Sequence, residues 1–246
     1  MATTSSGAAA VERCVVVSQP MYFPWPGIFE QVRLAQTFVH YDDVQLPQGR
    51  SFMTRVQIRT ARGPEWLTVP VKRDAKVIRD VRVDDSQDWR RKHLATLAQN
   101  YGRAPFFAEM LELARSVIER PTPWLWELNV HSIESVASYF RLSPTFLLSS
   151  RLGVAGSSSE RLLNLVRNLN GLVYVTGHGA KNYLDHELFE RNGIEVRYMN
   201  YERAEYPQMH EHFDPHVSIL DLVANAGKEG GAFLRSGTLP WKEFTK

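Results

Sequence analysis

Cysteine is nearly absent from the 246 residues: Cys14 is the single one. A lone thiol excludes an internal disulfide and a thiolate metal cluster, and within Cys14-Val15-Val16-Val17 it reads as a buried strand residue. No run of about 18 apolar residues occurs, so no transmembrane helix is expected. Nor is there a run of five Lys or Arg, and 29 basic against 27 acidic side chains leave a net charge of +2. The electrostatic footprint of tight duplex binding is therefore missing and nucleic acid is unsupported as a partner, although a tRNA-linked donor would need only a local basic patch. The mildly basic Arg90-Arg91-Lys92-His93 reads as a solvated helix face. Residues 1–10 are small and polar, without the basic and apolar segments of a signal peptide. They read as a disordered leader ahead of one cytoplasmic domain over residues 11–246.

What the chain does have is ordinary globular material, 43% hydrophobic and 23% charged residues, enough for a sizeable core. Residues 14–17 form a short β-branched run that stops at Ser18-Gln19-Pro20. A Pro- and aromatic-rich loop follows, then Ile28, Phe29, Val32, Leu34 and Ala35 at helical spacing, then a second strand over 37–41. Strand, loop, helix and strand make a βαβ unit, which predicts a Rossmann-like α/β fold with a mainly parallel sheet flanked by helices. Further strands over 52–58, 66–71 and 77–83 are expected to extend that sheet. Residues 85–142 read as a helical insertion or cap. Alternation resumes with strands near 145–148, 172–175 and 194–198, and Ser218 is expected to cap the last helix, with Asp221 completing a capping box.

In such a sheet ligands gather at the carboxyl ends of the strands, where several polar residues fall. Gln19 offers a carboxamide. Tyr22, Phe23 and Trp25 supply either a stacking wall or a core cluster. Asp42 and Asp43, adjacent on an extended chain, point to opposite faces, so one of them faces a shared cleft as general base or amine orienter, unless they cap a turn or pair with Arg55 or Lys72. They could also hold Mg²⁺, but without a phosphate-cradling loop a metal is not expected. Arg55 and Lys72 suit a phosphate or carboxylate on a substrate. His93 shares a helical face with Trp89. His178, between glycines at a strand end in Thr176-Gly177-His178-Gly179, is the best acid/base candidate. His210, His212 and His216 read as exposed loop histidines.

Gln19-Pro20-Met21-Tyr22-Phe23-Pro24-Trp25-Pro26-Gly27 and Tyr41-Asp42-Asp43-Val44-Gln45, taken together, resemble the opening motifs of the WbqC-like family. The likeness continues through Trp66-Leu67-Thr68-Val69-Pro70-Val71, Asp88-Trp89-Arg90 with His93, Ser149-Ser150, Tyr183-Leu184-Asp185 and Ser218-Ile219-Leu220-Asp221-Leu222, from about residue 14 to 227. It adds Gln45 and Tyr183 to the candidate substrate-binding set. It implies a setting in surface-polysaccharide assembly, O-antigen in particular, and leaves the cofactor unspecified. Thr54-Arg55-Val56-Gln57 departs from the family's Asn-Arg-Asn-Arg, and His178 stands where small residues are usual; both suggest a shifted substrate, such as a specialised metabolite. A more distant likeness in layout to nucleotidyltransferases lacks their His-x-Gly-His, since Trp25-Pro26-Gly27-Ile28 stands there. The expected function is a transferase moving an acyl or aminoacyl group onto an amine of a sugar nucleotide or similar polar metabolite. The alternative is a non-catalytic sugar- or nucleotide-binding accessory protein.

Overall fold

The computed structural model describes residues 13–47, 51–72, 74–210 and 212–245, so the expected leader lies outside the described residues. Strand β1 (Cys14–Ser18) leads through helix α1 (Pro26–Leu34) to β2 (Thr37–His40). The hairpin β3 (Arg55–Thr60) and β4 (Gly63–Thr68) follows, then helices α2 (Trp89–Tyr101), α3 (Phe107–Ile118) and α4 (Leu125–Tyr139). The alternation resumes with β5 (Thr145–Leu148), α5 (Ser158–Asn168), β6 (Val173–Thr176), α6 (His186–Arg191) and β7 (Glu195–Asn200). The chain closes with α7 (Ile219–Ala226), β8 (Gly237–Pro240) and α8 (Trp241–Phe244).

Among the described residues the main sheet runs β5-β2-β1-β6-β7-β8, parallel throughout except for the antiparallel pair β7 and β8. As the βαβ spacing predicts, β1 and β2 are parallel neighbours, with Val16 opposite Phe38. Alternate residues of β1 serve two cores: Cys14 and Val16 join the cluster with α1 to α4 and α7, while Val15 and Val17 join the cluster with α5 and α6. A strand buried on both faces must be apolar throughout, which is why residues 14–17 show no alternation. The fold is α/β and Rossmann-like, with helices on both faces.

The hairpin departs from expectation. Instead of extending the main sheet, β3 and β4 pair only with each other, and residues 77–83 form a 3-10 turn over Ile78–Asp80 flanked by isolated bridges. The physical reason is visible in β3, where Val56, Ile58 and Thr60 are buried and the residues between them only partly so. One apolar face suffices to pack on the helical side of the core, whereas a central strand of a parallel sheet needs two. Helices α2 to α4 occupy the range predicted for the insertion. Ser218 caps α7 by accepting from Leu220 N, but the capping box is not formed: Ser218 N donates to Gln57 O at 2.7 Å, and Asp221 turns elsewhere. Gly227 ends α7 at φ 57°, with the Phe106 ring 2.5 Å from where a Cβ would stand, so both backbone and space require glycine.

Candidate functional site

The strand order reverses at β1, whose neighbours β2 and β6 lead to opposite edges of the sheet. Crevices of this kind, at the carboxyl ends of the diverging strands, are where open α/β sheets bind ligands. A cavity of about 810 Å³ opens there. Its floor is the ends of β1 (Val17, Ser18, then Gln19) and of β6 (Thr176, then Gly177, His178 and Gly179). Its walls carry Trp25, Gln31, Tyr41, Phe52, Tyr174, Tyr183, Tyr201, Arg203 and His216. No carboxylate is among these lining residues.

His178 Nε2 lies 2.7 Å from Met199 O. A carbonyl only accepts, so Nε2 carries a proton and Nδ1 is the nitrogen left to exchange one with a ligand. The ring packs between Tyr201, 5.0 Å away, and Phe244 of α8, 4.7 Å away. Gln31 Nε2 donates to Tyr201 Oη at 2.7 Å, and a Cβ on Gly177 would come within 3.3 Å of that nitrogen, so glycine gives the backbone room to pass. Burial holds the Tyr201 hydroxyl pKa up at about 12, leaving it a neutral hydrogen-bonding group. Trp25 packs on Tyr201 at 4.9 Å and on His216 at 5.9 Å. Arg203, in the left-handed region at φ 51°, has no acidic partner among the described residues.

Tyr201, Arg203 and His216 sit on the segment between β7 and α7, which is held from behind by Asp221. That buried carboxylate accepts from Tyr101 Oη at 2.9 Å and from Gln208 Nε2 at 3.0 Å, and Gln208 Oε1 in turn accepts Asp214 N at 2.9 Å. Burial pushes the Asp221 pKa up to about 6 against the opposing effect of these hydrogen bonds, that of Tyr101 first. Close by, Glu30 of α1 accepts Ser236 N at 3.1 Å, and burial raises its carboxyl to about 7. It faces a narrow gap lined by Trp25, Gly27 and Arg203, next to the main cavity.

Of the candidate catalytic and substrate-binding residues named from the sequence, Gln19, Trp25, His178 and Tyr183 line this cavity together, and the others lie elsewhere. Asp42 is buried and accepts from Ser150 N at 3.0 Å and Ser150 Oγ at 2.7 Å. Asp43 pairs with Arg161 at 2.5 Å, not with Arg55 or Lys72. Ser149 Oγ sits 2.6 Å from Asp43 and 3.0 Å from Asp42, sharing one proton between the two carboxylates. Together they tie the end of β2 to the turn after β5 and to α5. Tyr22 and Phe23 are wholly buried, so the expected stacking wall shrinks to Trp25. Tyr22 Oη donates to His93 Nδ1 at 3.1 Å, and His93 Nε2 donates to Thr68 O at 3.1 Å. Burial lowers His93 to about 4, keeping it neutral. Arg55 lies over the Trp66 ring at 3.9 Å, Lys72 is exposed, and Gln45 is exposed in a bridge to Val77. His216, read from sequence as a loop histidine, lines the cavity, whereas His210 and His212 do not. Tyr41 was signalled only by its place before Asp42 at a strand end. Arg203 and Tyr201 carried no motif of their own.

The model of the WbqC-like protein family matches residues 19–232. The chain belongs to the WbqC-like family. It is also 33% identical over 225 residues to the Uncharacterized protein Rv1507c of Mycobacterium tuberculosis (strain ATCC 25618 / H37Rv), covering 90% of this chain and 97% of that one. No solved structure matches. Within this WbqC-like chain the Gln-Pro-x-Tyr and Asp-Asp-Val-Gln motifs divide their labour: Gln19 and Trp25 face the cavity, while Tyr22, Asp42 and Asp43 brace the strand ends around it. The matched segment stops before β8 and α8, so Phe244 against His178 is a contact made from beyond it. Among the described residues no helix is long and apolar enough to cross a membrane.

Proposed function

We propose that this protein is a cytoplasmic small-molecule transferase that passes an acyl or aminoacyl group onto an amine of a sugar nucleotide or similar polar metabolite, in surface-polysaccharide or specialised-metabolite biosynthesis. One observation carries the reading. The cavity at the strand reversal has the volume of a metabolite site and a wall of tyrosines, two carboxamides, two histidines and an arginine that makes no ion pair among the described residues, with no carboxylate in the lining to repel an anion. In the proposed step the amine nitrogen attacks the acyl carbonyl carbon. The new C–N bond forms as the bond to the donor's leaving group breaks, that group departs with the electron pair, and the nitrogen's proton passes to His178 Nδ1. Direct transfer is favoured over a covalent enzyme intermediate, since among the described residues no serine, threonine or cysteine is bonded to His178. The pathway setting rests on the family resemblance. An accessory binding role is the second reading, favoured by the internal commitments of Asp42 and Asp43.

A thermal-shift screen of sugar nucleotides and activated acyl donors, followed by mass spectrometry of the mixtures, tests both. Binding to the folded state raises apparent stability with ligand concentration. The transferase reading expects a product from wild type and a loss of about 10²–10⁴-fold in turnover for His178→Gln, with ligand binding retained. Ligand binding without any product from wild type supports the accessory role. A variant as active as wild type removes His178 from the chemistry.

A further inference from the structure

Large apolar side chains are seldom left in water in clusters without a use. Among the described residues those most exposed are Phe52 at 56%, Leu172 at 50% and Tyr183 at 59%. Two of these three, Phe52 and Tyr183, line the cavity at the strand reversal. They come from different parts of the chain: Phe52 from the segment between β2 and β3, Tyr183 from the segment after β6. Both rings are thus part of the cavity and open to water, as the rim of a site should be.

Phe52 is backed, outside the cavity lining, by a second aromatic ring and a cation. Its ring lies 6.1 Å from Trp66, and the Arg55 guanidinium covers the Trp66 ring at 3.9 Å. Arg55 has no acidic partner among the described residues, and its Nε is buried without an acceptor. Arg203, in the cavity lining, likewise makes no ion pair among the described residues. Open aromatic faces at the mouth, together with Arg203 in the cavity lining, match a ligand that is flat and apolar at one end and anionic elsewhere. A free sugar meets only the polar part of this description, and an acyl chain meets neither the stacking nor the charge.

We infer that Phe52 and Tyr183 form a stacking subsite for the base of a nucleotide ligand, with the exposed Arg203 of the same cavity lining taking its phosphates. This rests on the reading of the cavity as the substrate site, and it narrows the substrate to one carrying a nucleoside. Stacking tolerates any base, because every base has a π face, so the subsite selects for the presence of a base more than for its identity.

The test uses the full chain, with ADP, UDP, GDP and CDP as base-bearing probes and glucose 1-phosphate as a probe with phosphate but no base, by calorimetry. Wild type should bind at least one nucleoside diphosphate more tightly than glucose 1-phosphate. Phe52→Ala and Tyr183→Ala should each weaken the nucleotide by about 5- to 100-fold, the usual range for losing one stacking partner, and leave glucose 1-phosphate unchanged. Phe52→Tyr should restore nucleotide affinity, and Arg203→Gln should weaken both probes. The variants' melting temperatures without ligand report whether each has folded. If glucose 1-phosphate binds in an Arg203-dependent way but nucleotides bind no tighter, or are indifferent to both ring truncations, the stacking subsite is wrong while the cavity remains a substrate site. If no probe binds wild type, both readings fall together.

Discussion

At the scale of single residues, carboxylates show how chemistry suggested by type is decided by surroundings. Asp42 and Asp43 have the look of a catalytic pair, yet each is engaged by Ser149, Ser150 or Arg161. Asp42→Asn loses charge-assisted bonds and turns an NH₂ toward Ser150, and Asp43→Asn strands Arg161, which is only 14% exposed. Each should destabilise by about 2–4 kcal/mol. The melting temperature should fall by roughly 4–16 °C for a chain of this size, while whatever remains folded keeps its ligand affinity. A loss of about 10²–10⁴-fold in turnover at unchanged stability would return one of them to catalysis. Glu30 is the opposite case, a buried carboxyl with a raised pKa that no sequence motif announced. Its folded value of about 7 lies above the ordinary 4.5, so its contribution to stability is full at low pH and is lost as pH rises through about 7. Glu30→Gln keeps an oxygen for Ser236 N and has no proton to lose. It should gain about 1–2 kcal/mol over wild type at pH 8, allowing for solvent screening, and nothing at pH 4.5, as read by urea unfolding.

Elements of the fold are joined by bridges that local pattern does not reveal. Tyr22–His93–Thr68 links the loop after β1, helix α2 and strand β4 through a ring that must stay neutral. His93 titrates near 4 in the fold against an ordinary 6.5, so its contribution is complete above about 6.5 and is lost as pH falls through 4. His93→Gln should therefore be less stable than wild type at pH 7 by about 2–3 kcal/mol, and the gap should close toward pH 4. A gap that stays constant with pH would mean His93 acts by shape alone. The same scale explains what could be read in advance. The βαβ unit was legible because β1 is apolar at successive positions, whereas the apolar residues of α1, Ile28, Phe29 and Val32, recur at helical spacing. The hairpin's separation was not, since a strand's pattern tells how many faces it buries but not which sheet it joins. Gln19 and His178 were legible because strand ends and glycine flanks are local features. Tyr201, Arg203 and His216 were not, because their places depend on Gln208 and Asp221, bonds made across tertiary structure.

Across the whole molecule these titrations oppose one another. On acidification from pH 7 to 4 Glu30 and Asp221 favour the fold as they take up protons, and His93 disfavours it. His93→Gln, which leaves Glu30 and Asp221 unopposed, should accordingly show a steeper stability profile over this window than wild type, and Glu30→Gln, which leaves Asp221 against His93, a flatter one, in urea titrations at matched ionic strength. The order β2-β1-β6 at the middle of the sheet also has a consequence in time. β1 can pair with β2 almost as soon as both leave the ribosome, but its other partner, β6, lies roughly 160 residues later. At about 5–20 residues per second, translation leaves that parallel edge open for roughly 8–30 s. Every residue at the cavity floor waits with it, because Gln19 meets His178 only when β6 docks. Nascent chains arrested near Asn170 should bind chaperones through the bare edge of β1 and show no ligand affinity, and chains arrested with β6 fully emerged should release them, which makes the birth of the site a late and abrupt event in the life of the polypeptide.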